Sequence, residues 1–136
     1  MQTFLPYCEF SRTAKVLDYR RLGKQRVEVL QILNVLSGNS NGWKNHPAVR
    51  MWEGYTNCLV DYGRAICLEW RRRGYKDTCL DKISSFQTGN VTDLPYWLFD
   101  KRVHLSHKSN LLRKFPEHYR KFWPKLADDL PYYWPL

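Results

Sequence analysis

Trp52, Tyr55, Leu59, Tyr62, Ile66 and Trp70 recur every three or four residues, a spacing that draws one apolar stripe down a helix and has no counterpart in a strand. A stripe of such bulk has to be buried, so the chain needs further amphipathic helices to cover it. Upstream, "NHP" offers Asn45 or His46 as a cap and Pro47 at a first helical position. The pattern therefore predicts one continuous helix from there to Gly74, roughly seven turns long. Arg71, Arg72 and Arg73 fall in its last turn, where cations suit the helix dipole.

A partner helix is predicted over Lys24 to Leu36, with Leu22, Val29, Leu30, Leu33 and Leu36 at core spacing and "SGNSNG" as its stop. Ahead of it, Ser11 caps a short helix whose inner face carries Ala14, Leu17 and Tyr19, and Gly23 permits a break. From Tyr75 to Asp100 periodicity fades, leaving an irregular segment with room for one helical turn. A helix returns at His104 to Lys114, Pro116 opens another through Trp123, and "DDLPYYWPL" ends the chain in extended form. With no repeats and no strand pairs joined by hairpin turns, the class is all-α. A length of 136 residues suits one domain, 1–136. No apolar run approaches the roughly 20 residues that cross a bilayer. The four cysteines lack metal-ligand spacing and nothing at the N-terminus resembles a cleavable signal, so reduced thiols in a cytoplasm are expected.

Lysine and arginine number 22 against 13 acidic residues, a net charge of +9. That excess points to a polyanion, and nucleic acid is the usual one. Arg21, Lys24, Gln25, Glu28 and Gln31 share one narrow face of an otherwise apolar helix. Two readings stand side by side. The face is solvated, with a Lys24–Glu28 pair, or it lines a cleft in which Glu28 is an acid or base, Gln25 an acceptor, and Arg20, Arg21 and Lys24 bind phosphates. His46 is either a cap or a phosphate contact. Near the C-terminus, His107, Asn110, Arg113, Lys114 and Tyr119 interleave cations with aromatic residues, which fits a nucleic-acid backbone with stacked bases or a basic amphipathic helix. His104 and His107 have no third ligand at metal spacing, so neither a metal nor a cofactor is expected. No serine-hydrolase, Walker or dinucleotide motif is present.

Taken together, "YRRL" at Tyr19–Leu22, "RRRGYKDT" at Arg71–Thr78 and "LSHKSNLLRKFPEHY" at Leu105–Tyr119 resemble the pyrimidine-dimer DNA glycosylase family, that of the phage endonuclease V. "MQTFLP", "RLGKQRVEVLQIL", "NHPA" and "DLPYYWP" look like a bacterial and phage branch of it. The resemblance implies a compact domain of three main helices and a monomer acting on damaged duplex DNA, such as cyclobutane dimers, near the nucleoid. It implies glycosylase and abasic-site lyase activity in which the N-terminal α-amine, here that of Met1, attacks C1′ and forms an imine. A glutamate then assists β-elimination. α-Amines suit the task because a reference pKa of about 7.7–8.0 leaves neutral amine near pH 7. Arg20 keeps the family's arginine and Lys24 a basic position one turn later. Two departures follow. Arg21 stands where the family has its catalytic glutamate, so either Glu28, two turns along nearly the same face, takes the acidic role, or no acid acts there and the family's chemistry is absent. Gln2 is large where the family has a small residue, so Met1 is expected to be retained.

Overall fold

In a computed structural model describing residues 1–136, the chain is all helical, a single layered body built around three long helices. The elements are α1 (Phe10–Val16), α2 (Tyr19–Leu36), α3 (Pro47–Arg50), α4 (Thr56–Arg72), α5 (Leu80–Ser84), α6 (Lys101–Lys114) and α7 (Pro116–Tyr119). α2 and α4 cross at the centre, and their closeness depends on two glycines. A Cβ on Gly63 would lie 2.7 Å from Cγ1 of Val29, and one on Gly23 would lie 2.8 Å from the Trp70 ring. Gly23 is therefore an interior residue of α2 and a seat for Trp70. The expected break falls earlier, at Leu17 and Asp18, which are extended, and the buried Asp18 caps α2 by accepting from Arg21 N. Ser11 lies inside α1, which Glu9 precedes without a side-chain cap, and Tyr19 faces solvent.

The long stripe packs inward, with Trp52, Leu59, Tyr62 and Ile66 buried and Tyr55 and Trp70 half-buried, but it does not lie on one helix. His46 caps α3 by accepting from Ala48 N at 3.0 Å. α3 then ends after a single turn, and Gly54 at φ +83° turns the chain before α4 begins. A positive φ is costless only for glycine, which is why the turn sits there. Trp52, in that turn, is fully buried and donates Nε1–H to Thr3 Oγ1 at 3.0 Å. In the irregular segment, Asp77 caps α5 by accepting from Cys79 N and Leu80 N and ties it to α2 through Arg26 at 2.6 Å.

α6 begins at Lys101, three residues before its expected start, because Asp100 caps it by accepting from Arg102 N at 2.9 Å. One face of α6 holds the C-terminal tail. Ser109 donates to Ala127 O at 2.7 Å and accepts from Leu130 N, Asn110 donates to Leu130 O, and Ser106 accepts from Tyr133 N. α7 stops at Tyr119 and does not reach Trp123. All four cysteines are free thiols. No helix is long and apolar enough to cross a membrane.

Candidate active site

Residues 2–5 run extended through the interior, each less than a tenth exposed. Buried backbone needs hydrogen-bond partners, and an extended segment ordinarily finds them in a neighbouring strand. Here side chains supply them. Gln2 N donates to Glu28 Oε2 at 3.1 Å, and Gln25 Nε2 donates to Gln2 O at 2.8 Å. Phe4 N donates to Gln25 Oε1 at 3.0 Å, while the Tyr62 hydroxyl donates to Phe4 O at 2.7 Å. Leu5 N donates to His107 Nδ1, and Leu5 O meets His104 Nδ1 at 2.7 Å. Burial, with the Glu28 charge nearby, holds the Tyr62 phenol far above its ordinary pKa, so it remains a donor. The polar stripe of α2 thus has a structural duty: Gln25 and Glu28 hold the N-terminal segment.

The same side chains open on a cleft of about 560 Å³ that Met1 borders. Arg20, Arg21, Lys24 and Lys114 surround it, and Glu28 is the one carboxylate among its lining residues. Oε2 of Glu28 already accepts from Gln2 N and from Gln25 Nε2 at 3.0 Å. Its Oε1 has only the Lys24 ammonium, at 3.6 Å. Arg21 is steered by Asp18 at 3.2 Å, and Asp18 is itself fixed by the Tyr119 hydroxyl. Burial pushes the His46 pKa down, the N-terminal ammonium pushes it further, and Glu28 opposes both. His46 therefore lies within electrostatic reach of both the N-terminal amine and the Glu28 carboxylate. Opposite α2, Tyr132 and Trp134 of the tail close the cleft, with Trp134 edge-on to His46 at 6.1 Å.

Of the residues expected from sequence, Met1, Arg20, Arg21, Lys24, Gln25, Glu28, His46 and Lys114 meet at this cleft. Gln25 belongs to its wall, but both ends of its amide are occupied by Gln2, Phe4, Glu28 and Tyr62, which leaves nothing to read DNA with. Three residues expected to contact DNA have no surface to offer it. His107 and Tyr119 are fully buried and Asn110 is 2% exposed. They hold Leu5, Asp18 and the tail respectively. Arg113 is exposed but turns to Asp128 O at 2.7 Å and to Asn110, away from the cleft lining. Gln2, Phe4, Tyr132 and Trp134 join the site unforeseen. The aromatic run "YYW" was the visible signal for the last two.

Among known families, the model described as pyrimidine dimer DNA glycosylase matches residues 1–83. That span holds Met1, the whole α2 stripe and His46, and it stops short of α6 and the tail. No curated protein and no solved structure matches the chain.

Proposed function

Because the chain belongs to the pyrimidine dimer DNA glycosylase family, we propose that it is a glycosylase with associated abasic-site lyase activity, working at the cleft between α2 and the tail on damaged duplex DNA. The observation that carries this reading is the bond from Gln2 N to Glu28 Oε2 at 3.1 Å: it keeps the Met1 amine one residue from a carboxylate, inside a ring of cations. A reactive amine and an acid or base at one sugar carbon is what imine chemistry needs.

The steps follow from those groups. The neutral amine of Met1 attacks C1′, the bond from C1′ to the base breaks, and the base leaves with the electron pair and takes a proton. The sugar ring opens as nitrogen and C1′ form an imine. Oε1 of Glu28 then takes the C2′ proton, and the 3′ phosphate departs as a new double bond forms. Arg20, Lys24 and Lys114 neutralise the phosphates on either side, and Arg21, held by Asp18, adds a fourth cation where the family keeps its glutamate. Tyr132 and Trp134 give flat faces for a base turned out of the duplex, at a cost of a few kcal/mol that is smallest at a damaged pair.

Borohydride reduces an imine to a stable amine. Incubating the protein with irradiated, abasic and otherwise modified duplexes in its presence should give a covalent adduct that maps to Met1. A product ladder on one substrate names the lesion. Binding to every duplex with no adduct on any of them would instead mark a DNA-binding module without lyase chemistry.

A further inference from the structure

Trp43, in the segment between α2 and α3, is both strained and exposed. Its φ of +67° makes it the one residue other than glycine in the left-handed region, where a Cβ crowds its own backbone. Gly42 beside it would hold that conformation freely, yet has no positive φ. Nor does the ring gain burial from the arrangement: Trp43 is 59% exposed, while the other five tryptophans are buried or half-buried. A strained residue persists where its surroundings fix it, and such residues gather at binding sites. The surroundings here are firm. Trp43 O accepts from His46 N at 2.8 Å, and His46 caps α3, whose Ala48 and Val49 are buried. The Trp43 ring stands edge-on to His46 at 5.8 Å, and His46 stands edge-on to Trp134 at 6.1 Å. Because His46 and Trp134 line the cleft, a chain of ring contacts leads from the cleft wall out to an exposed indole.

Charge narrows what that indole can meet. Residues 29–52 carry Lys44 and Arg50, both exposed, and no carboxylate. An indole flanked by cations suits a partner that joins flat faces to phosphates, which is a nucleotide strand. We propose that Trp43 is a base-stacking residue that selects damage: it covers the face of a base left unstacked at the lesion, while Lys44 meets the phosphate beside that base. The inference rests on the reading that the cleft takes damaged duplex DNA. In an intact duplex each base face is already covered by its neighbours, so the indole finds nothing to cover. A lesion weakens pairing and opens a face at low cost. Tyr132 and Trp134 serve a base inside the cleft; Trp43 serves one at its outer edge.

Fluorescence anisotropy on abasic and intact duplexes of one sequence tests this. Trp43→Ala should bind the abasic duplex about 10- to 100-fold more weakly, the usual worth of one stacked base. Its affinity for intact duplex should stay within about twofold of wild type, and its slope of log K against log salt should not change, since no charge is lost. Trp43→Phe should recover most of the affinity. Trp43→Gly removes the strain, so its urea midpoint should be no lower than that of wild type while it loses the same affinity as Trp43→Ala, which separates binding from folding. Iodouracil placed beside the abasic site and irradiated in the complex should crosslink to Trp43. Wild-type affinity of Trp43→Ala for the abasic duplex overturns the proposal. So does an equal loss on both duplexes, or a crosslink confined to Tyr132 and Trp134. Borohydride trapping reads the chemistry separately. If no duplex gives an adduct while the Trp43 variants still lose abasic affinity, the lyase reading fails and the stacking stands; if Trp43→Ala gives adduct and binds as wild type does, the stacking alone fails.

Discussion

A carboxylate at Glu28 is more than the fold requires. Its hydrogen bonds come from Gln2 N and Gln25 Nε2 to a single oxygen, Oε2, and a glutamine amide oxygen can accept both. The residue is 8% exposed, and its other oxygen has only the exposed Lys24 ammonium at 3.6 Å, a contact that the fold can lose at little cost. Glu28→Gln should therefore stay folded, losing about 1 kcal/mol in urea titration as charge-assisted hydrogen bonds become neutral ones. Single-turnover cleavage of abasic duplex should fall by roughly 10²–10⁴-fold, the usual contribution of a positioned acid or base. Unchanged cleavage would remove Glu28 from the chemistry and return it to a purely structural duty.

At the scale of elements, the crossing of α2 and α4 is the tightest joint in the molecule. Gly63→Ala drives a methyl to within 2.7 Å of Val29 Cγ1, and overpacking of this kind costs about 1–3 kcal/mol. Gly42→Ala, in a loop where the nearest atom is Ser40 Oγ at 3.9 Å, should leave the urea midpoint nearly unmoved and serves as the control. These helices were legible in the sequence because both bury a face at the helical period. The break between α3 and α4 was not, since Trp52 and Tyr55 hold the stripe's spacing straight through the turn, and only Gly54 betrays it. The α2 stripe was read as a cleft wall or a solvated face, and its second duty was invisible. The backbone it holds belongs to residues 21 to 26 positions earlier, and nothing in Gln25 or Glu28 shows that a main chain is their partner. His107, Asn110 and Tyr119 misled for a related reason. Basic neighbours on the same helices gave them the look of a binding surface, while their own side chains point inward to Leu5, the tail and Asp18.

Across the whole molecule, the net charge of +9 is unevenly used. Glu69, Asp77 and Asp100 are each paired with arginines away from the cleft. Arg20 and Lys114 have no ion pair, and Lys24 has only Glu28. Duplex DNA bound at the cleft should then release counterions through these three cations. Arg20→Gln, Lys24→Gln and Lys114→Gln should each reduce the slope of log K against log salt by about one, measured by fluorescence anisotropy. Lys82→Gln, on the far helix α5, should not change it. The seating of residues 2–5 carries one more consequence, for the order of events during synthesis. Leu5 leaves the ribosome 102 residues before His107, whose ring accepts its amide hydrogen. Until α6 has emerged, the segment has no complete set of partners, and the amine it carries is untethered. Residues 2–5 are translated before α6 but find their position only with it, so this wall of the cleft is assembled only once nearly everything downstream exists.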